Sequence, residues 1–224
     1  MAITRTLAQR ALRVFADGSF EYEYTPQLTV VIATIGRPSL ERALRSARPM
    51  GVPDVMVEIV VVQDTHLDTW AEGLETVPAL CQKYNARLFS YDAGFHHYGH
   101  PQANFAMEQA VGNYISFCGD DDEYNVGAIQ TILQTIKGQS RDRCPILFRA
   151  EMKWGVVLWK RPVKEEVLRV GSISAQNIVV PGDKDMLGVW GTERYAGDFD
   201  FIESTLAKYN GRFTWNDEVI ITCH

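Results

Sequence analysis

The stretch LTVVIATIGRPSLERALRSA, residues 28–47, changes from the pattern of a strand to the pattern of a helix. Residues 28–33 are nearly all apolar and rich in β-branched side chains, which is typical of a strand buried on both faces. A glycine and a proline interrupt this pattern, and Ser39 is then a suitable N-cap for a helix over residues 40–47. The segment therefore predicts a strand, a short turn and a helix.

The same alternation continues along the first half of the chain. Further strands are predicted at residues 55–62, 87–90 and 114–118, and further helices at residues 69–83, 101–111 and 125–137. Alternating strands and helices predict an α/β, Rossmann-like domain with a mixed, mostly parallel central sheet flanked by helices. In such sheets, ligands bind beyond the carboxyl ends of the strands.

The second half contains more strand patterns and fewer helices. No linker rich in proline, glycine or serine separates the halves, so both are assigned to one domain. The predicted division is an N-terminal extension over 1–27, with an amphipathic helix from Met1 to Phe15, then a half over 28–138 and a half over 139–224. Strands are predicted in the last half at residues 145–150, 154–160, 177–180 and 212–223, and a helix at residues 198–209.

The composition of the 224 residues, with 46% hydrophobic residues and a net charge of −6, is typical of a soluble globular protein. An acidic balance argues against nucleic acid as a partner, because neutralising phosphates requires clustered Lys and Arg. No apolar run approaches the roughly 20 residues of a transmembrane segment, and the N-terminus lacks the continuous apolar core of a secretory signal. Four scattered cysteines without paired spacing indicate reduced thiols, so the predicted location is cytoplasmic.

Polar side chains directly follow three of the predicted strands. Thr34–Arg37 follow the first strand, Asp64 follows the second, and Asp120–Asp122 follow the fourth. Because parallel strands place their carboxyl ends at one edge of the sheet, we expect these residues to lie together. Neighbouring carboxylates repel one another unless a cation lies among them, and Mg²⁺ and Mn²⁺ prefer oxygen ligands. The aspartate run therefore indicates either a divalent metal site or a solvated loop that caps the helix beginning near Asn125.

Other polar residues each have two interpretations. Asp64 either accepts hydrogen bonds from a nucleobase or a ribose, or caps the next helix. Arg37 either contacts a phosphate or forms a surface ion pair. His96, His97 and His100 are either metal ligands or part of a flexible loop beside the site. The dinucleotide-binding fingerprint, the Walker motif and the nucleophile elbow of serine hydrolases are absent from the sequence.

Together, residues 28–38, 58–64 and 104–122 resemble the family 2 glycosyltransferases of the GT-A fold. The resemblance implies a single GT-A domain, in which residues 28–138 bind a nucleotide sugar and residues 139–224 face the acceptor. It implies a metal-dependent, inverting transfer of a sugar from a UDP- or GDP-linked donor to a hydroxyl of a carbohydrate or other acceptor. The implied cofactor is Mn²⁺ or Mg²⁺.

The resemblance also implies roles for residues of the first half. Asp64 matches the aspartate that binds the nucleobase, and Asn104 falls where the family has a polar or basic residue that faces the nucleotide. Gly119 stands where the family usually has an acidic residue, so the resemblance leaves open which two of the next three aspartates bind the metal. The cradle for the nucleotide is implied to be Thr34, Ile35, Gly36 and Arg37, and the metal- and diphosphate-binding DxD element is implied to be Asp120, Asp121 and Asp122.

In the second half, the sequence YAGDFD at residues 195–200 resembles the acidic pair that precedes a helix in this family. Asp198 is the predicted general base, with Asp200 as the alternative, because an inverting transfer needs a carboxylate that accepts the proton of the attacking hydroxyl. The usual glutamate of the family is Gly197 here, and Asp198 has the alternative role of a helix cap. Trp190 and Gly191 are predicted to contact the acceptor, whereas the ordinary place of such a tryptophan is the core.

His224, at the end of a predicted strand, is the implied third metal ligand. Other functions stay open, because Gly119 and Gly197 at usually acidic positions are also typical of a nucleotide-sugar-binding or scaffold domain that has lost catalysis. A sugar nucleotidyltransferase ranks lower, because the glycine-rich first loop with Arg and Lys is absent. Members of the family often carry further C-terminal segments, so we expect the acceptor to be small or to be bound with a partner, such as the second subunit of a homodimer.

Overall fold

The computed structural model describes residues 12–14, 20–22, 25–66, 73, 75–93, 98–139, 143–153, 155–158 and 168–224, and only the backbone of residues 12–14 and 20–22. The strands are β1 Leu12–Val14, β2 Phe20–Tyr22, β3 Leu28–Thr34, β4 Val57–Asp64, β5 Arg87–Tyr91, β6 Tyr114–Phe117, β7 Glu123–Tyr124, β8 Ile146–Met152, β9 Val156–Leu158, β10 Ile178–Pro181 and β11 Thr214–Thr222. The helices are α1 Leu40–Ala47, α2 Val77–Lys83, α3 His100–Gln109, α4 Ala128–Gly138 and α5 Gly197–Lys208. Single 3₁₀ turns lie at Asp54–Met56, Ala175–Asn177 and Lys184–Met186.

One sheet joins strands of both halves of the chain. Its order is β5-β4-β3-β6-β10-β8-β11-β7, with β9 paired to β8. β5, β4, β3 and β6 are mutually parallel, β10 runs antiparallel to β6 and to β8, and β11 is parallel to β8. The predicted α/β architecture with a mixed, mostly parallel sheet is therefore confirmed, while the division at residues 138 and 139 stays a prediction. β1 and β2 form a separate antiparallel pair.

Helices cover both faces of the sheet, which explains why β3 is apolar along its length. Val30 and Ile32 face a core that includes side chains of α1, α2 and α4, whereas Val31 faces a second core that includes side chains of α3 and α5. Alternate residues of a strand point to opposite faces, so a strand buried on both sides needs apolar residues at nearly every position. Among the residues the structure describes, no helix combines the length and the apolar character needed to cross a lipid bilayer.

The structure differs from the sequence predictions at several elements. The helix predicted from Met1 to Phe15 is wrong at Leu12–Val14, which form a strand because they pair with Phe20–Tyr22. Glu123–Tyr124 form a short strand that was not predicted, because two residues carry no detectable period. Residues 67–72, with the start of the helix predicted at residue 69, lie outside the described residues, as do His96 and His97 within residues 94–97.

Candidate functional site

A cavity of about 570 Å³ opens where β3, β4 and β6 end. Polar residues from the ends of all three strands line it, as the sequence pattern predicted. The wall opposite the strand ends comes from the start of α3 and from the segments that precede α5. The lining residues discussed below are Thr34, Ile35, Arg37, Asp64, Tyr98, Gln102, Asp120, Asp121, Asp122, Trp190 and Tyr195.

The carboxylate of Asp120 holds the turn that follows β3. Its Oδ2 accepts hydrogen bonds from the Thr34 hydroxyl at 2.8 Å and from the backbone N–H of Ile35 at 3.2 Å, and its Oδ1 pairs with Arg37 at 2.5 Å. The Thr34 oxygen in turn accepts from the backbone N–H of Gly36 at 2.9 Å. Two segments that lie more than 80 residues apart in the chain are therefore fixed against each other by one buried side chain, which is 2% exposed.

Asp121 and Asp122 present negative charge to the cavity. The Asp121 side chain is 41% exposed and lies 3.4 Å from Arg37. Asp122 is buried and accepts from the Gly119 N–H, the Gln176 amide and the His224 backbone N–H at 3.1–3.2 Å. Burial, with the nearby Asp121 charge as a second cause, raises the pKa of Asp122. The two carboxylates thus form a region where a cation would relieve repulsion.

Gly119 has a steric explanation. A Cβ atom at this position would lie 2.5 Å from Asp122 Oδ2 and 2.9 Å from Asp121 Oδ1. A side chain at residue 119 would therefore require the carboxylates of Asp121 and Asp122 to move.

The donor set suits a hard divalent cation, although the protein supplies few ligands. Asp121 is the most exposed of the three carboxylates and the readiest ligand. Asp122 accepts hydrogen bonds from neutral groups, whereas Asp120 is already paired with the Arg37 cation, so Asp122 is the second candidate. The His224 Nε2 atom lies 3.2 Å from Glu123 Oε1 rather than against these carboxylates. Among the residues that the structure describes, no group of three or more His, Cys, Asp or Glu is arranged to hold a metal. One or two carboxylates together with substrate phosphates are a common Mg²⁺ environment.

Asp64 and Asn104, both predicted to face the nucleotide, have different surroundings. Asp64 is 6% exposed, lines the cavity at the end of β4 and accepts from the backbone N–H of His66 at 2.9 Å. Asn104 instead pairs twice with the backbone of Trp190: its amide donates to the carbonyl at 3.1 Å and accepts from the N–H at 3.0 Å. Asp64 therefore borders the cavity, whereas Asn104 fastens the Trp190 loop to α3.

The two acidic residues at the start of α5 differ in their electrostatics. Burial raises the pKa of Asp198, although hydrogen bonds from the backbone of Phe199 and of Ala175, a cavity-lining residue, act in the opposite direction. Two guanidinium nitrogens of Arg194 donate hydrogen bonds to the two carboxylate oxygens of Asp200, and this pairing lowers the pKa of Asp200. The nearby His100 charge also lowers the pKa of Asp198, but among the described residues no arginine pairs with this carboxylate as Arg194 does with Asp200. A carboxylate outside such a pair is the better proton acceptor.

Close packing also explains Gly197. A Cβ atom there would lie 2.0 Å from the Gly191 carbonyl oxygen and 2.4 Å from His100 Nδ1. A glutamate at residue 197 would therefore displace the loop that contains Gly191 or the first residue of α3. Gly191 is itself packed against Asp200, because a Cβ atom there would approach the carboxylate to 2.2 Å.

Trp190 is largely a packing residue. It is 8% exposed, stacks on Phe201 with ring centroids 5.3 Å apart, and meets Phe117 edge-on at 5.1 Å. Its indole Nε1 has no hydrogen-bond partner. The tryptophan thus forms part of the cavity wall with one ring face already covered.

Gln102 is a cavity residue that sequence reasoning missed. It is 1% exposed, and neither its Nε2 nor its Oε1 has a hydrogen-bond partner. A buried polar group without a partner costs about 1–3 kcal/mol, so such groups call for an explanation. The available signal was its spacing of four residues from Ala106, which puts the glutamine on a buried side of α3.

Two exposed tyrosines lie at the mouth of the cavity and were also missed. Tyr98, directly before α3, is 70% exposed, and Tyr195, directly before α5, is 76% exposed. Their rings meet edge-on with centroids 5.0 Å apart. Nothing in the sequence pairs residues so far apart, and only the approach of the two helix starts brings them together.

Comparison with known proteins finds that this chain is similar to glycosyltransferases. No family model matches the chain. Over 111 residues, 49% of this chain, it is 28% identical to the GalNAc(5)-diNAcBac-PP-undecaprenol beta-1,3-glucosyltransferase of Campylobacter jejuni, of which the match covers 34%. The chain therefore matches about a third of that relative's length.

Solved structures share the fold. TarS of S. aureus, residues 1–349, matches with a TM-score of 0.67 at 18% identity over 88% of this chain and 60% of that chain. The same protein has been solved with UDP and with UDP-GlcNAc, and these structures match with TM-scores of 0.67 and 0.66. The mannosyltransferase PcManGT from Pyrobaculum calidifontis, in complex with GDP-Man and Mn²⁺, matches with a TM-score of 0.59 at 16% identity over 89% of this chain and 57% of that chain. The predicted GT-A-like fold is thereby confirmed.

Proposed function

We propose that this chain is a glycosyltransferase that moves a sugar from a nucleotide-diphosphate sugar to an acceptor hydroxyl. The observation that carries the proposal is the bonding of Asp120 to Thr34, Ile35 and Arg37, with Asp121 and Asp122 facing the same cavity. The sequence similarity to a beta-1,3-glucosyltransferase supports this chemistry. The pattern of residues 28–133 remains our reason for proposing a family 2 member.

The donor is proposed to lie across the strand ends. Residues 34–37 form the cradle for the nucleotide, with Arg37 available to the diphosphate, and Asp64 at the end of β4 accepts hydrogen bonds from the base. UDP- and GDP-linked sugars are the candidates, because UDP, UDP-GlcNAc and GDP-Man are bound in structures of similar fold. Asn104 contributes indirectly, by holding the Trp190 loop.

A divalent cation, Mn²⁺ or Mg²⁺, is proposed to bind with Asp121 and Asp122 as protein ligands. Asp120 keeps the turn after β3 in place, and His224 supports the site by donating its backbone N–H to Asp122. When bound, such a cation neutralises charge that develops on the leaving nucleoside diphosphate. The Mn²⁺ in the PcManGT complex supports this assignment.

Asp198 is proposed as the general base of an inverting transfer. The acceptor oxygen forms a bond to the anomeric carbon while the bond from that carbon to the diphosphate oxygen breaks, and Asp198 takes the proton of the acceptor hydroxyl. Asp200 is the less suitable base, because its carboxylate is paired with Arg194. The acceptor is proposed to approach past Tyr98 and Tyr195, beside the loop of Trp190 and Gly191, of which Trp190 lines the cavity.

Loss of catalysis is the alternative that Gly119 and Gly197 suggested from the sequence. Both glycines lie where a side chain would collide with neighbouring atoms, and Asp121, Asp122 and Asp198 are the carboxylates beside them. Close packing therefore accounts for glycine at residue 197 without a loss of catalysis, and the three carboxylates remain in place for the proposed roles. Slow release of free sugar from the donor without acceptor, measured by chromatography, would distinguish the two functions.

The direct test is donor binding by calorimetry and thermal shift, with UDP-glucose, UDP-GlcNAc and GDP-mannose, each with and without MnCl₂. We expect one donor to raise the melting temperature in the presence of Mn²⁺. Asp121→Ala should abolish that rise, whereas Asp217→Ala, an exposed carboxylate on β11, should not. Absence of binding by every donor in both conditions would contradict the proposal.

A further inference from the structure

We propose that the side-chain amide of Gln102 and the indole N–H of Trp190 bind hydroxyl groups of the donor's sugar, an inference that rests on the function proposed above. Both side chains line the cavity, both are more than nine-tenths buried, and the amide and indole atoms have no hydrogen-bond partner. The two groups together would decide which sugar the cavity accepts.

The chemistry of the unpaired atoms favours a hydroxyl group over the other parts of the donor. The Gln102 amide needs both a donor and an acceptor, and a hydroxyl group provides both. Phosphate oxygens accept only and would leave Gln102 Oε1 unpaired, whereas a cation would leave Nε2 unpaired. Trp190 Nε1 needs an acceptor, which a sugar hydroxyl or a ring oxygen also provides. A neutral molecule with several hydroxyl groups is therefore the ligand class that pairs all these atoms.

The position within the cavity separates these groups from the proposed base site. Trp190 packs against Phe117 of β6, the strand that runs into Asp120–Asp122. Asp64 ends β4, and β3 lies between β4 and β6. The unpaired indole therefore lies on the side of the diphosphate and the sugar. Gln102 lies on α3, and Asn104 of the same helix is hydrogen-bonded to the backbone of Trp190. The helix that contains Gln102 is therefore connected directly to the Trp190 loop.

The proposal also predicts an effect on the ligand-free protein. Gln102 is a buried residue of α3, as are Ala103, Ala106 and Met107 of the second core, and a leucine of similar volume at residue 102 would leave no polar atom unpaired. Gln102→Leu should therefore raise the melting temperature by a few degrees while weakening sugar binding. Opposite signs in stability and affinity would distinguish a recognition residue from a structural one, which would lose stability on the same substitution.

The test compares UDP with UDP-GlcNAc by calorimetry in MnCl₂, and GDP with GDP-mannose in the same way if the uridine pair does not bind. For Gln102→Leu we expect about tenfold weaker binding of the nucleotide sugar and unchanged binding of the nucleotide alone. Trp190→Phe, which keeps an aromatic ring but removes the N–H, should show a smaller loss of the same kind. Gln109→Leu, at the far end of α3 and outside the cavity lining, is the matched control and should alter neither affinity.

Different failures have different meanings. If Gln102→Leu weakens the nucleotide and the nucleotide sugar equally, the amide contacts the nucleotide and the inference is wrong. If the melting temperature falls and both affinities stay unchanged, the amide has a resident partner such as a bound water, and the inference is again wrong. If wild-type protein binds none of the four ligands, it is the proposed function that fails, whatever the variants do.

Discussion

Asp120 and Asp121 are neighbours in the chain with very different surroundings. Asp120 is 2% exposed and pairs with Thr34, Ile35 and Arg37, so its carboxylate is part of the structure of the turn. The Asp121 side chain is 41% exposed, and Arg37 lies 3.4 Å away. One residue therefore maintains the shape of the site, and the next is available to a ligand.

This difference predicts separate effects of two substitutions. Asp120→Ala leaves a buried hydroxyl and a backbone N–H of the turn unpaired, and should lower the free energy of unfolding by about 2–4 kcal/mol. Asp121→Ala should change it by less than about 0.5 kcal/mol, yet remove metal-dependent nucleotide binding. Urea unfolding and calorimetry measure the two effects. Equal losses of stability would contradict the assignment.

Asp198 carries the prediction for catalysis. Asp198→Asn keeps the size of the side chain and one acceptor oxygen but cannot accept a proton, so turnover should fall by a factor of about 10²–10⁴. Donor affinity should stay within about twofold of wild type, because the substitution leaves the cavity lining unchanged. Asp200→Asn, which breaks the pair with Arg194, is the control and should reduce turnover less. A larger loss of turnover in Asp200→Asn than in Asp198→Asn would identify Asp200 as the general base.

The pH profile provides an independent check of the same residue. Burial raises the pKa of Asp198, so the carboxylate becomes protonated, and inactive as a base, at a higher pH than an exposed aspartate would. The rate kcat/KM should therefore fall as pH decreases through this raised pKa and be constant above it. The acid limb should disappear from the residual activity of Asp198→Asn. An unchanged limb in that variant would assign it to another group.

At the scale of elements, local pattern predicted most of what surrounds the cavity. The strand β3, its turn and α1 were recognisable because each carries its own period and its own breaking residues. The short β7 and the strand β1 were not recognisable from the sequence. They are strands because they pair with other segments of the chain, and they carry no local pattern of their own. The same reason applies to Tyr98 and Tyr195, which become neighbours only through packing.

The link between α3 and the Trp190 loop yields a prediction about that loop. Asn104→Ala removes two hydrogen bonds to the Trp190 backbone and should lower the free energy of unfolding by about 1–3 kcal/mol. The Kd of the nucleotide sugar and the KM of the acceptor should both rise, because the loop contains Trp190, which is proposed to bind the donor's sugar, whereas the Kd of the nucleotide alone should change little. Asn104→Asp is the matched variant: it still accepts from the Trp190 N–H but sets a carboxylate against the carbonyl oxygen. Loss of nucleotide binding comparable to Asp121→Ala would instead indicate direct contact with the nucleotide.

At the scale of the whole molecule, the structure shows where part of the excess of acidic residues lies. The net charge of −6 gave no position for these carboxylates, whereas the structure gathers Asp64, Asp120, Asp121 and Asp122 around one cavity. Local patterns predicted that they share one edge of the sheet, because each follows a parallel strand. They did not predict that Asp120 is already neutralised by Arg37, since that contact depends on the exact path of the turn.

This distribution of charge predicts that a divalent cation and the diphosphate bind cooperatively. Arg37 pairs with Asp120 and lies 3.4 Å from Asp121, so this one arginine faces three aspartates, and net negative charge remains to repel a diphosphate. Removing divalent cations with EDTA should therefore weaken UDP binding by about tenfold or more, while binding of uridine, which has no phosphate, should change little. The double variant Asp121→Asn with Asp122→Asn should abolish this difference, because the repulsion and the cation site disappear together. Calorimetry of UDP and uridine, each in Mn²⁺ and in EDTA, measures the four affinities. If UDP binds equally well in EDTA, the arginine alone offsets the carboxylates and the proposed dependence on a metal is wrong.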